Sequence, residues 1–524
     1  MSKPNVILIL TDDQGYGDAS KTGNRNLWTP NIDALERNGV QMEHFYTQPL
    51  CAPSRAEILT GRCFTRTGVY GVSRKAEYIN LDETTLGDVF RSAGYRTGYF
   101  GKWHSGSLYP YHPCARGFEE FYGFCCGHWG YYFDAQMDHN GVETRGKGYI
   151  IDDLTEHALA YMQEHRDEPF LCHVAFNTPH SPFQVPDAWF DRYKDAPLPS
   201  RAEHPEQEDL DKTRAVLAMV ANIDYNIGRI VERTRALGID RDTIFVFLSD
   251  NGPATVRFNA GLKGKKGDID EGGVRTLCSL TWADHIPAGS RVHAPSSTVD
   301  LLPTLAGLCG IPCDTHHPLD GLDLSGILCG SQSEARLAER ALPSVQAKRE
   351  NPRISIRKGD YRYVPDEDAL YNIALDPGQR TNLSGRERGL ADQLKRDCDA
   401  FRQTGLPDSI PERLLPVGYP QLPKAYLNAQ DGEPEGAVTW SSVHPNCSYF
   451  THWTDDRDAI RWHVQAHRAG VYRVSAFLTC PEEAIGSELL LSAGDQCCSA
   501  MIAEAFDPEH DPLCDRAKRT ESYT

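Results

Sequence analysis

The chain of 524 residues has no run of about 18 consecutive apolar residues, so no membrane-spanning helix is expected. It has no surplus of positive charge: 54 Lys and Arg stand against 73 Asp and Glu, a net charge of −19. That excludes nucleic acid and anionic membrane as bulk electrostatic partners. A local cationic pocket for a small anion stays compatible with it. No CxxC is repeated, and the 16 cysteines are irregularly spaced, with adjacent pairs at Cys125-Cys126 and Cys497-Cys498. A disulfide scaffold is therefore not expected, and most thiols should be reduced, half-buried small hydrophobes. There is no internal repeat. No secretory leader is expected in the sequence as it stands: the apolar run Val6–Leu10 is short, and Asp12-Asp13 follow closely. As it stands the chain reads as cytoplasmic, or as periplasmic or secreted if a leader has been removed.

What is present is an ordinary globular composition, 40% hydrophobic and 24% charged. Its length calls for roughly two to four domains or subdomains. Residues 1–340 alternate short apolar runs with amphipathic stretches. Asn5–Leu10, Tyr95–Phe100, Phe170–Phe176 and Thr243–Ser249 read as strands buried on both faces. Helices are expected over Thr29–Gly39, with Thr29 as cap and Pro30 in the first turn, and over Thr213–Gly238. This alternation predicts an α/β domain, a mostly parallel sheet sandwiched by helices. Residues 341–405 read as a small α+β subdomain, with a strand pattern at Ile354–Val364 and a helix over Arg386–Thr404. Residues 406–435 are irregular and proline-rich, a linker or wrapping arm. Residues 436–524 read as an all-β accessory module of short strands, "AIRWHVQAHRAGVYRVSAFLTC" among them.

Each buried strand ends in polar residues: Thr11-Asp12-Asp13, then "GKWH" (Gly101–His104), "NTPH" (Asn177–His180) and Asp250-Asn251-Gly252. Open α/β sheets bind ligands beyond the carboxyl ends of their strands. Taken singly, each of these groups is an ordinary turn or surface feature. In one sheet they converge, and Asp12, Asp13, Asp250 and Asn251 make a hard-oxygen set suited to Ca²⁺ or Mg²⁺. Lys102 and Arg55 add cationic groups that attract an anion.

The stretch "QPLCAPSRAEILTGR" (Gln48–Arg62) places Cys51 at the mouth of a predicted helix, with Pro53 at the first helical position and Gly61 as stop. A helix N-terminus favours a thiolate. A soft thiolate beside hard-oxygen ligands is nevertheless a mismatch, and an oxygen nucleophile suits such a metal better.

Cys51 to Arg62 matches C-x-P-S-R-x-x-x-L-T-G-R at every specified position, and the sequence resembles the formylglycine-dependent sulfatases of the alkaline phosphatase superfamily. Further motifs follow in that family's order across roughly residues 1–400, including "PNVILILTDDQGYGD", "GYRTGYFGKWH", "NTPHSPF", "SDNGP", "LKGKKGDIDEGGVR" and "LYNIALDPGQRTNL". The resemblance implies a sulfate-ester hydrolase acting on an aryl or carbohydrate sulfate. It implies that Cys51 is oxidised to Cα-formylglycine by a formylglycine-generating enzyme, the aldehyde hydrate supplying the oxygen nucleophile. It further implies that Asp12, Asp13, Asp250, Asn251 and residue 51 hold Ca²⁺. Arg55 would polarise the nucleophile, Lys102 and Lys266 would bind sulfate, His104 would remove a diol proton, and His180 would serve the leaving oxygen. Lys266 is selected among three lysines by its spacing from Glu271. "LYNIALDPGQ" departs from the family in carrying Asn372 where aspartate is common. A phosphodiester or phosphonate monoester hydrolase on the same scaffold is the alternative. A non-catalytic, carbohydrate-binding protein with unconverted Cys51 is set aside because every implied site residue is present.

For substrate contacts the aromatic stretch Phe121–Gly141 offers His128, Trp129 and His139. Trp440, Trp453 and Trp462 of the C-terminal module read as structural or oligomer contacts rather than as a sugar platform, and a homo-oligomer is among the expectations.

Overall fold

The computed structural model describes residues 3–199, 201–348, 351–407, 409–410, 412–442, 448–508 and 514–518. Its centre is the strand Asn5–Asp12, buried along its whole length. Val6, Leu8 and Leu10 belong to one hydrophobic cluster, and Ile7 and Ile9 to a second. Alternate side chains of a strand point to opposite faces, so an unbroken apolar run is the signature of a sheet covered on both. Each such fully buried aliphatic side chain contributes about 1.5–3 kcal/mol.

Asn5–Asp12 pairs in parallel with Phe170–Pro179 on one side and Thr243–Ser249 on the other. Phe170–Pro179 pairs in parallel with Arg96–Lys102, and that strand with Glu120–Phe124. Antiparallel strands flank this centre: Cys278–Thr281 beside Thr243–Ser249, and Gln136–His139 with Val142–Arg145 at the far edge. Ten strands make up the sheet. The expected α/β sandwich is thus the fold observed, with a parallel centre and mixed edges.

The long helix runs Leu210–Leu237 and begins earlier than Thr213, because the Asp209 carboxylate caps the amides of Asp211 and Lys212 at 3.1 and 3.2 Å. It ends at Gly238, whose φ of 70° is a left-handed C-cap. The helix Pro30–Arg37 starts on its proline with Thr29 at the N-cap position as expected, but the Thr29 hydroxyl caps no amide and donates to Asp33 Oδ1 at 3.1 Å instead.

Four antiparallel strands, Leu342–Val345, Ile354–Lys358, Tyr361–Val364 and Ala369–Asn372, pack against the helix Arg388–Thr404. Beyond it the chain makes two-stranded pairs. Leu415–Val417 pairs with Val464–Ala466, and Glu433–Glu435 with Ala459–Arg461, so residues 406–435 supply strands to the C-terminal segment. Glu488–Ala493 and Gln496–Met501 form an exposed hairpin. The strand pattern of Val471–Thr479 is not realised: that stretch is irregular, with Val474 and Phe477 exposed. A β pattern forms a strand only where a neighbouring edge satisfies its backbone, and no described strand lies beside it.

Candidate active site

The parallel register carries the four polar strand ends to one edge. Thr11 stands opposite Ser249, Leu10 opposite Ala175, and Gly101 opposite Ala175 from the other side. Asp250 N–H then donates to Thr11 O at 3.1 Å, and Asp13 N–H to Asp250 Oδ1 at 3.2 Å. Asp13 and His104 both take positive φ, 67° and 58°. Strained backbone of this kind persists where the surroundings hold it, commonly at functional sites. Gly101 is required between strand and site: its φ is +122°, and a Cβ there would lie 1.9 Å from Ala175 O.

The acids and cations interlock. Arg55 donates from Nε and Nη2 to Asp250 Oδ2 at 3.1 and 2.8 Å, and from Nη1 to Lys102 O at 2.7 Å. Lys102 Nζ donates to Asp12 Oδ2 at 2.6 Å. Lys266 Nζ reaches both oxygens of Asp13, at 2.7 and 2.9 Å. Asn251 Nδ2 donates to Asp13 Oδ1 at 2.8 Å. Burial alone would raise the Asp12 carboxyl, but Lys102, His180, Arg55 and Lys266 together hold it well below the usual range. Burial and the Asp12 charge push Asp250 up to about 7. The three carboxylates are matched in number by Arg55, Lys102 and Lys266, so the fit for a further cation rests on the oxygens left over.

Two buried oxygens bear directly on that fit. Asp12 Oδ1 and Asn251 Oδ1 have no hydrogen-bond partner. A buried acceptor without a partner is costly, and two hard oxygens left over beside two more carboxylates are what an oxygen-seeking divalent cation uses.

Cys51 is the first residue of the helix Cys51–Thr60, with Leu50 as cap; Pro53 is the third helical residue rather than the first. First-turn amides have no intrahelical acceptor, so proline is tolerated there too. Every residue of this helix is buried, and Gly61 ends it at φ 65°. The Ser54 hydroxyl takes the Gln48 amide at 2.9 Å and fixes the entering loop. Sγ of Cys51 and carboxylate oxygens of Asp12 and Asp250 lie within 4.8 Å of one another. Burial, above all, pushes the Cys51 thiol above its ordinary value despite Lys102 and Lys266. The helix mouth therefore does not yield a thiolate here.

His104 Nε2 lies 2.8 Å from Val72 O. A carbonyl only accepts, so Nε2 carries the proton and Nδ1 holds a lone pair, itself buried and without a partner. Burial, then Lys102, lowers the His104 pKa well below its usual value, so the ring is neutral. Gly127 packs on this ring so closely that a Cβ would meet Nε2 at 2.2 Å. His180 is arranged the opposite way: its Nδ1 sits 2.7 Å from Ser181 O, and Nε2 faces Asp13 Oδ2 at 3.7 Å.

His128 joins this group, buried edge-on against His180 at 4.8 Å. Trp129 does not open toward it; its ring stacks on Phe124 at 5.2 Å. His139 is elsewhere. It pairs opposite Tyr122 on the antiparallel edge, 3.8 Å from Glu120 and edge-on to His157.

Several positioning groups carry no motif of their own. Arg257 donates from Nε to Asp18 at 3.1 Å and from Nη2 to Asp13 O at 2.9 Å, pinning the left-handed turn. The Tyr132 hydroxyl reaches Ser181 O at 2.8 Å and His180 O at 3.0 Å. Arg362 of the small subdomain donates to Glu271 at 2.9 Å, with both side chains fully buried, bracing the loop that carries Lys266. Asp18 closes the first motif and Tyr132 lies in the aromatic stretch Phe121–Gly141, whereas Arg257 had no sequence signal.

A nucleophile candidate at a helix mouth, a nest of three carboxylates able to hold a metal, Lys102 at a strand end and Lys266 from the loop beyond Ser249 together mark a hydrolase site for anionic esters. The family model described as Sulfatase matches residues 4–311. The chain belongs to the sulfatase family, enzymes that hydrolyse sulfuric esters. It is 31% identical to arylsulfatase A of Bos taurus over 490 residues, covering 82% of this chain and 89% of that one. The solved structure of Ps i-CgsB in complex with k-i-k-neocarrahexaose superposes with a TM-score of 0.69 at 28% identity, covering 76% of this chain and 93% of the other. Phosphonate monoester hydrolase of Agrobacterium radiobacter shares the fold alone, with a TM-score of 0.59 at 20% identity, covering 77% and 96%.

Proposed function

We propose that the chain releases inorganic sulfate from a sulfated sugar or aryl sulfate, using an oxygen nucleophile derived from Cys51 and Ca²⁺ held by Asp12, Asp13, Asp250 and Asn251. The observation that carries the reading is the pair of orphaned oxygens, Asp12 Oδ1 and Asn251 Oδ1, in the same nest as a protonated Cys51. The neocarrahexaose complex of Ps i-CgsB favours a carbohydrate substrate. Ca²⁺ suits this irregular, mixed carboxylate–amide set better than Mg²⁺, which demands near-octahedral geometry and retains water. The cation would polarise a sulfate oxygen and hold the nucleophile. Formylglycine at residue 51, made by a formylglycine-generating enzyme, would supply a hydrated aldehyde, an oxygen nucleophile matched to that hard ion.

The chain's own groups do the rest. Lys102 and Lys266, each already against a carboxylate, face the charge that develops on the sulfate oxygens. Arg55 and Asp250, locked in a two-point contact, fix the wall beside residue 51. His104 accepts a proton on Nδ1, because Val72 O holds the proton of Nε2. His180 keeps Nδ1–H on Ser181 O and presents Nε2 to the leaving oxygen; it serves as the acid there once doubly protonated, a state that burial opposes and Asp13 and Asp12 favour. His128, edge-on to His180, lines the leaving-group side.

The test is mass spectrometry of the peptide spanning Leu50–Arg55 from the native host, with turnover of aryl sulfates, sugar sulfates, phosphodiesters and phosphonates in parallel. Conversion at residue 51 with sulfate esters preferred is the expected result. An unmodified thiol in active protein would overturn the nucleophile, and sulfates as by far the poorest substrates would overturn the reaction. A second expectation concerns His180→Ala. Sugar sulfates, whose alkoxide leaves poorly, should lose about 10²- to 10⁴-fold in kcat, the range of a general acid. Nitrophenyl sulfate should lose far less, and equal losses for both would remove His180 from that role.

A further inference from the structure

The arm that carries Arg413 and Gln430 returns to the loop whose Val72 carbonyl meets His104. Arg413 Nη1 donates to Lys75 O at 3.1 Å and Nη2 to Asn80 Oδ1 at 2.7 Å, and the guanidinium also bonds Tyr78 O. Farther along, the turn Ala429–Asp431 packs against the same Val72–Tyr78 loop, where Gln430 Nε2 lies 3.4 Å from Glu77 Oε1. Two indoles close over the turn: Trp440 donates to Ala429 O and Trp462 to Asn428 O, each at 3.0 Å.

Glu77, Gln430 and Asp431 are only 3%, 4% and 5% exposed. Each keeps one buried oxygen without a hydrogen-bond partner: Glu77 Oε2, Gln430 Oε1 and Asp431 Oδ1. Burial and the Asp431 charge push the Glu77 carboxyl well above the usual range, and burial pushes Asp431 up to about 7. Lys75 offsets part of the Asp431 charge and Arg413 part of that on Glu77, but neither supplies the missing bonds. The Gln430 oxygen is the independent observation. It is neutral, so its orphaned state is not a matter of charge between two acids, and its amide lies directly against Glu77. A proton shared by the carboxyls satisfies one or two of these oxygens. A hard divalent cation bridging the three side chains would satisfy all of them, with water completing its shell.

We propose that Glu77, Gln430 and Asp431 form a second Ca²⁺ site, separate from the catalytic nest, that clamps the C-terminal arm onto the loop Val72–Tyr78. That loop's Val72 carbonyl fixes the proton of His104, so the clamp joins the arm to the geometry of an active-site histidine.

Tb³⁺, which replaces Ca²⁺ in oxygen sites, tests this because Trp440 and Trp462 adjoin the site and sensitise its emission. In full-length protein, Asp12→Asn should retain the indole-sensitised Tb³⁺ emission, while Glu77→Gln and Asp431→Asn should lose it, together with one bound Ca²⁺ per chain by calorimetry. Trp462→Phe should weaken the emission with the bound Ca²⁺ count unchanged. In EDTA, Glu77→Gln should melt no lower than wild type, since burial already keeps that carboxyl uncharged, and its Tm should no longer rise with CaCl2 at this site. A shared proton or a purely structural contact predicts otherwise: unchanged Ca²⁺ stoichiometry in both variants, or Glu77→Gln melting below wild type in EDTA, overturns the site.

Discussion

Replacing Cys51 by alanine is expected to lower kcat for any sulfate ester by about 10⁴- to 10⁶-fold, the scale on which enzymes lose rate when the nucleophile goes. The loss should not come from unfolding. Cys51 is 3% exposed and small, and deleting its sulfur removes contacts of roughly one methylene, about 1 kcal/mol. The helix it opens is held at its other end by Gly61, whose N–H donates to Glu57 O at 2.8 Å, and at its start by Ser54. The alanine variant should therefore show nearly the wild-type Tm and unchanged Ca²⁺-dependent stabilisation. A stronger form of the test needs no mutation. Preparations made with and without the converting enzyme differ in the fraction of residue 51 that is aldehyde, and kcat per chain should rise in proportion to that fraction, from an intercept near zero. The thiol cannot replace it, because burial keeps it protonated and a thiol is a poor ligand for a hard ion. Activity that stays constant, or falls, as conversion rises would identify the cysteine itself as the working group.

How far this site could be read from sequence follows from what kind of group each residue is. Asp12, Asp13, Asp250 and Asn251 were legible because each follows a strand with an unbroken apolar run, and such runs mark central parallel strands whose ends must meet. Cys51 was legible from its position before a helical pattern, although the helix proved to include it. Val72 was not legible, since what it contributes is a carbonyl, and any residue type offers one. Arg257 was not legible because its partners, Asp13 and Asp18, are some 240 residues away with no shared spacing. His139 misled for the converse reason: it is near His128 in sequence, but the antiparallel edge strand carries it away to Glu120 and His157. In the C-terminal segment, "GVYRVSAF" alternates as a strand should, yet pairing partners, not alternation, decide whether a strand forms.

Asp12→Asn should show how closely stability and chemistry are joined in this nest. Asp12 Oδ2 and Lys102 Nζ are 2.6 Å apart, and both side chains are 1% exposed. Removing one member of a buried pair leaves the other charge in low dielectric, at a cost of about 3–5 kcal/mol, so the single variant should melt well below wild type. Arg55 does not relieve this, because its guanidinium adds a second cation beside the stranded ammonium, 3.9 Å from the lost carboxylate. The same change removes a charged ligand for the catalytic ion. Several kcal/mol of charge stabilisation at sulfate depend on that ion, so kcat/KM should fall by about 10³-fold or more. The double variant Asp12→Asn/Lys102→Met separates the two effects. Methionine follows the course of the lysine stem without its charge, and replacing a buried pair by neutral groups is often neutral in stability. Its Tm should therefore recover most of the loss while its kcat/KM stays as low as in the single variant or lower, and CaCl2 should rescue neither variant's turnover. Recovery of activity along with Tm would make the Asp12–Lys102 pair a structural fastening only, and would leave the metal to Asp13, Asp250 and Asn251 alone.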